Sequence, residues 1–91
     1  MKGFPDEVKR DIFECQNGIC RVLNCYEPIV DFHHKLSQSK VNKRLYPLFI
    51  NSPFNCVGLC RDCHTNRSHL FRVTEKEAEI YERFLNQNKN D

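Results

Sequence analysis

Ninety-one residues suffice for one small domain, residues 1–91, whose core is too thin to hold without a disulfide framework or a metal. No apolar run approaches the roughly 18 residues of a membrane span, and the opening MKGFPDEVKRD lacks the apolar stretch of a secretory signal. The expectation is a cytoplasmic protein that stays off the membrane and keeps its six cysteines reduced, which favours a metal over disulfides.

The predicted elements run in chain order as follows. Pro5, the acids after it, and Val8 and Ile12 four apart predict a helix over residues 5–14. Cys15, Cys20 and Cys25 surround the turn signal Asn17-Gly18. The β-branched and aromatic run PIVDFHH over 28–34 predicts a strand ending at paired histidines. A basic segment, 35–53, holds a helical turn or two before Pro47 interrupts it. NCVGLC over 55–60 predicts a second strand, and residues 61–71 a helix. Thr74 with Glu77 forms a capping box, and Ala78, Tyr81, Phe84 and Leu85 give the amphipathic period of a helix over 75–87. The last residues, NQNKND, are expected to fray. The large aromatics among the basic residues, Phe49 and Phe54 included, read as core packing.

The net charge of +2 conceals a segregation. Between His33 and Arg72 lie seven basic residues and one acid, Asp62, while the rest of the chain holds seven against eleven. A positive centre with acidic flanks suits a phosphate-rich ligand on one face. Lys35, Lys40, Lys43, Arg44, Arg67 and Arg72 are the candidate contacts.

Two metal sites are legible. Cys60 and Cys63 bracket a two-residue turn, so both thiolates can reach one tetrahedral zinc. Cys15 with Cys20 supplies the other pair by preference, Cys20 with Cys25 having the same spacing, and the cysteines left over pack as small hydrophobes. The run C60-R-D-C-H64 also matches a c-type haem attachment signature, but the chain's one Met is Met1 and four further cysteines would go unexplained. The histidines form the second group. Four imidazoles between positions 33 and 69 are suited to a divalent ion at neutral pH. Neighbours on a regular strand face opposite ways, so His33 and His34 can share a site only at a strand end, with Asp31 on the face of His33 as a fallback ligand.

Taken together, IVDFHHKL, then SPFN ending at Asn55, then CVGLCRDCHTNRSH with His64 nine residues after that Asn, resemble the HNH endonucleases, the ββα-metal nuclease family, over about Cys15 to Leu70. The resemblance implies an α+β fold, a zinc-stapled ββα-metal finger with flanking N- and C-terminal helices. It implies hydrolysis of DNA phosphodiesters to 5′-phosphate and 3′-hydroxyl ends with a catalytic divalent ion (Mg²⁺, Mn²⁺, Ni²⁺ or Zn²⁺) beside the structural Zn²⁺. His34 matches the general base, His33 and His64 the metal ligands, and Asn55 the residue that holds the loop and orients the base. His69 is a further candidate ligand, although it lies five residues beyond His64, about 140° around a regular helix. The stretch between His34 and Asn55 exceeds that of compact members and reads as a DNA-contacting insertion. A non-catalytic zinc module that binds nucleic acid is the alternative, a protein-interaction module with zinc as a mere staple is a third, and dimerisation stays open.

Overall fold

A computed structural model describes residues 3–89, with side chains through Gln87. Four helices and a two-stranded antiparallel sheet make an α+β arrangement: α1 (Asp6–Cys15), β1 (Asp31–His34), α2 (Lys40–Leu45), β2 (Cys56–Leu59), α3 (Arg61–Asn66) and α4 (Glu75–Lys89). One-turn 3-10 segments at Pro53–Asn55 and Ser68–Phe71 precede β2 and follow α3. Among the described residues no helix is long and apolar enough to cross a membrane.

The α1 terminus shows why the chain turns where Asn17-Gly18 predicts. Asn17 and Gly18 both take left-handed backbone angles, φ 56° and 72°, which those residue types accept most readily. The Gly18 N–H then reaches the Phe13 carbonyl at 2.8 Å and the Asn17 N–H the Glu14 carbonyl at 3.1 Å, satisfying carbonyls that the helix end would orphan. Gln16, just before, clasps the middle of β2: its carboxamide both donates to the Gly58 carbonyl and accepts from the Gly58 N–H, each at 3.0 Å.

The sheet pairs Asp31 with Leu59, Phe32 with Gly58, His33 with Val57 and His34 with Cys56. Gly58 allows close packing, since a Cβ there would meet the end of the Ile29 side chain at 2.6 Å and force it to shift. Both strands are shorter than the sequence predicts. The helix expected over 61–71 is also interrupted: α3 stops at Asn66, Arg67 leaves helical geometry at φ −130°, and a 3-10 turn follows. At α4, the Thr74 hydroxyl accepts from the Glu77 N–H and the Glu77 carboxylate from the Thr74 N–H, both at 3.2 Å, the predicted capping box. The helix runs on through Lys89, past the predicted 87; of the tail expected to fray, Asn90 and Asp91 lie outside the described residues.

The buried side chains fall into three small groups. Phe4, Val8 and Cys56 join α1 to β2; Cys20, Val57, Leu59, Cys60 and Cys63 surround the thiol cluster; Leu36, Tyr46, Phe49, Ile50 and Ala78 seat α4 on the basic segment. The segment read as a DNA-contacting insertion therefore also carries core. Glu82 contributes a polar tie the sequence did not announce: its carboxylate accepts from the Leu48 and Phe49 N–H groups at 3.0 and 2.8 Å. Together these groups hold β1, β2 and α3 against one another.

Candidate metal centre and histidine cleft

The thiol cluster is made by Cys20, Cys25, Cys60 and Cys63, whose sulfurs all lie within 4.8 Å of one another. This corrects the preferred pairing, for Cys25 stands where Cys15 was expected. Cys15 is the exposed last residue of α1 and lies outside the cluster. Asn24, left-handed at φ 67°, folds the loop so that Cys25 returns beside Cys20. The Cys25 sulfur sits 3.9 Å from that of Cys60 and 3.8 Å from that of Cys63. Tetrahedral metal–sulfur bonds of about 2.3 Å place ligand sulfurs about 3.8 Å apart, so the four thiols can hold a metal ion.

The surroundings push the thiols in opposite directions. The Cys63 N–H points to the Cys60 sulfur at 3.4 Å. At Cys20, burial pushes the thiol up, but N–H donors from Cys60 and Val22 outweigh it and leave the group below its ordinary value. Cys63 is pushed up to about 12 by burial, with the neighbouring thiols adding; in the absence of an ion that thiol holds its proton at neutral pH, and metal capture must displace it. Cys56 is buried away from the cluster, also pushed up to about 12 by burial, and packs against Phe4 and Val8, the apolar role expected of a surplus cysteine.

The histidines converge from two elements. His33 on β1 and His64 on α3 bring Nδ1 and Nε2 to 3.2 Å. His64 Nδ1 meets the Asp31 carboxylate at 3.2 Å, so Nδ1–H donates to Asp31 and Nε2 presents its lone pair to His33. Asp31, read above as a fallback ligand, therefore fixes the tautomer and direction of His64, as carboxylates behind metal-bound imidazoles do. The Arg61 guanidinium lies 3.6 Å from the same carboxylate. Two nitrogens bound at about 2.1 Å to one ion lie 3.2 Å apart when the angle between the bonds is about 100°. The pair fits such an ion. Among the described residues no third imidazole, thiol or carboxylate completes a three-ligand group with them.

His69 is the corrected member of the set. The break at Arg67 carries it onto the 3-10 turn, exposed, where it lines a cleft shared with His33 and His34 but forms no three-ligand group with His33 and His64.

His34, the last residue of β1, lines the same two clefts as His33. It stacks on Phe4, with ring centroids 3.7 Å apart and planes 11° from parallel, and its Nε2 lies 3.2 Å from the Asn51 carboxamide oxygen. That bond makes Nε2 the donor and leaves Nδ1 as the free base. Burial lowers the pKa of His34 more than the Asn51 bond raises it, and the Lys43 charge lowers it further. Burial, then proximity to His64 and His34, lowers that of His33. Both imidazoles are thus biased toward the neutral forms that bind metal or accept a proton.

Asn55 is fully buried, and its side-chain hydrogen bonds go to Leu36 and Ile50 rather than to His34. It accepts from the Leu36 N–H at 2.7 Å and donates to the carbonyls of Ile50 and Leu36 at 2.9 and 3.2 Å, clamping the segment just after the histidine pair. Loop holding is Asn55's observed part; contact with His34 falls to Asn51 and Phe4, which the sequence reading missed. Asn51 carried no signal beyond its place in a polar turn.

The candidate phosphate contacts divide. Lys40, Lys43, Arg44 and Arg72 are exposed and Lys35 is half-buried. Arg67 is taken up by Asp62 at 3.4 Å and by the Cys63 sulfur at 3.9 Å, which makes it a prop for the thiol site rather than a free contact. Two clefts, of 650 and 490 Å³, meet at His33, His34 and Ser37. The larger includes His64.

No protein-family model, curated protein or solved structure matches this chain.

Proposed function

We propose that the protein is a divalent-metal-dependent DNA endonuclease of the HNH kind, stapled by zinc on Cys20, Cys25, Cys60 and Cys63. The observation that carries the reading is the 3.2 Å approach of His33 Nδ1 to His64 Nε2, backed by Asp31 and set beside a second histidine whose Nδ1 is free. The sequence order of paired His, Asn, and His after C-x-x-C supports it further, as does the run β1, β2, α3, which is the ββα succession of that family.

His34 is the general base. With Nε2 engaged by Asn51 and the ring held flat on Phe4, Nδ1 takes a proton from water as the oxygen attacks phosphorus. A divalent ion on His33 and His64, when bound, supplies charge neutralisation at the phosphate and at the departing 3′ oxygen. Asp31 keeps His64 in the ligating tautomer. Asn55 fixes the backbone that follows the base. The bond between phosphorus and the 3′ oxygen breaks and that oxygen takes a proton from solvent water, giving 5′-phosphate and 3′-hydroxyl ends. The exposed lysines and arginine of α2 supply phosphate contacts outside the cleft. The zinc site has no chemical part: it holds the 20–25 loop to the start of α3, and so sets where His64 stands.

The test is incubation of zinc-loaded protein with supercoiled plasmid and added Mg²⁺, Mn²⁺, Ni²⁺ or Zn²⁺. Nicking with 3′-hydroxyl ends is expected, and imidazole ligands favour the later transition metals. Plasmid bound in a salt-sensitive manner yet uncut with all four ions would overturn the nuclease and leave the non-catalytic zinc module.

A further inference from the structure

The smaller cleft is not needed for the hydrolytic step, yet it opens from the same two histidines. One wall is Lys35 with Ser37, directly after β1; the other is His69, Arg72 and the start of α4 at Glu75. The walls are joined by a bond from the Val73 N–H to the Lys35 carbonyl at 3.4 Å, so they keep their spacing. At 490 Å³ the cleft is within the range of about 300–1,000 Å³ typical of small-ligand sites, with room for a phosphate and its sugar. Besides the two histidines of β1, the lining holds three nitrogen-bearing side chains and one carboxylate, Glu75. Among the described residues neither Lys35 nor Arg72 is held in an ion pair, unlike Arg67 and Arg61. Cationic groups left unpaired along a concave wall favour an anion there.

We infer that this cleft binds the phosphate next to the one being cut, through Lys35, His69 and Arg72, so that the strand must continue past the histidine pair. The inference rests on the nuclease reading and sharpens it: the substrate is a polynucleotide carrying phosphates beyond the scissile linkage, and an isolated diester is a poor substitute. His69 then acts on the backbone of the substrate rather than on the ion.

Two arms test this with zinc-loaded protein. In the first, fluorescence anisotropy follows binding of a labelled DNA duplex across a salt series without added catalytic metal. Lys35→Gln and Arg72→Gln are each expected to weaken binding and to reduce the slope of log affinity against log salt by about 1, while Arg83→Gln on α4 leaves the slope where it was. In the second, the ratio of oligonucleotide cleavage to hydrolysis of bis(p-nitrophenyl) phosphate is measured for wild type and for the Lys35→Gln/Arg72→Gln double variant. That ratio is expected to fall sharply. Unchanged salt slopes, or equal losses on both substrates, would overturn the inference. Wild type that cuts neither substrate removes the nuclease reading alone, because the binding arm still decides whether this cleft holds phosphate. Circular dichroism of each variant with zinc bound separates loss of binding from loss of fold.

Discussion

Replacing Asn55 with alanine should nearly unfold the protein, and for a reason that can be counted. Its carboxamide satisfies the Leu36 N–H, the Leu36 carbonyl and the Ile50 carbonyl, and its side chain is wholly shielded from water. Truncation leaves three backbone groups without partners in a dry interior, at about 1–3 kcal/mol each. Some relaxation and water entry reduce the sum, so a loss of about 3–6 kcal/mol is expected. A core this small supplies only about 3–5 kcal/mol, so Asn55→Ala should melt at least about 12 °C lower than wild type, at about 4–8 °C per kcal/mol. Asn51→Ala is the companion variant. Asn51 is exposed and bonds His34 from the rim, so its loss should move stability by less than about 0.5 kcal/mol while lowering the cleavage rate. The assay is urea or thermal unfolding of zinc-loaded protein followed by far-ultraviolet circular dichroism, with plasmid nicking per folded molecule alongside. Asn55→Ala within about 1 kcal/mol of wild type would refute the clamp, and an Asn51 variant that nicks at full rate would refute its hold on the base.

Other consequences are equally open to measurement. Cys25→Ser should abolish zinc binding and collapse the fold, because structural zinc provides much of the folding free energy in so small a domain; Cys15→Ser should keep one zinc per chain by elemental analysis, and the reverse result would restore the Cys15 pairing. Asp31→Ala should weaken binding of the catalytic ion about 10–100-fold by isothermal titration while leaving zinc in place, whereas unchanged affinity would remove Asp31 from its supporting part. His34 should titrate below the ordinary histidine value of about 6.5 by nuclear magnetic resonance. A histidine lowered on folding gives stability that is full above its unfolded value and is lost as pH falls through the folded one. His33 shifts the same way, so denaturant midpoints without catalytic metal should decline on acidification below about 6.5, and a midpoint that rises there would contradict the burial argument.

How much could be read from the chain varied with the range of the interaction. Local devices were legible: the Asn17-Gly18 turn, the Thr74–Glu77 capping box and the period of α4 depend on residues within a few positions of one another. The C-x-x-C pair at Cys60 and Cys63 was equally plain. Its partners were not, since Cys15–Cys20 and Cys20–Cys25 have the same spacing. The left-handed turn at Asn24 decided between them, and spacing does not encode it. His69 was set about 140° around a regular helix, and the break at Arg67, which residue spacing does not encode, carries it instead onto a 3-10 turn. Asn51, Phe4 and Glu82 act across 17 or more positions and have no local motif to advertise them. Asp31 was seen on the right face of β1, yet its bond to His64 needed the two elements placed together.

The central claim is that His34 takes the proton from the attacking water while His33 and His64 hold the ion. Its most direct test is the initial rate of plasmid nicking by wild type and by His34→Ala at equal zinc content and saturating catalytic metal. The account predicts a fall of about 100-fold or more, with ion affinity little changed. Equal rates for the two proteins would contradict it.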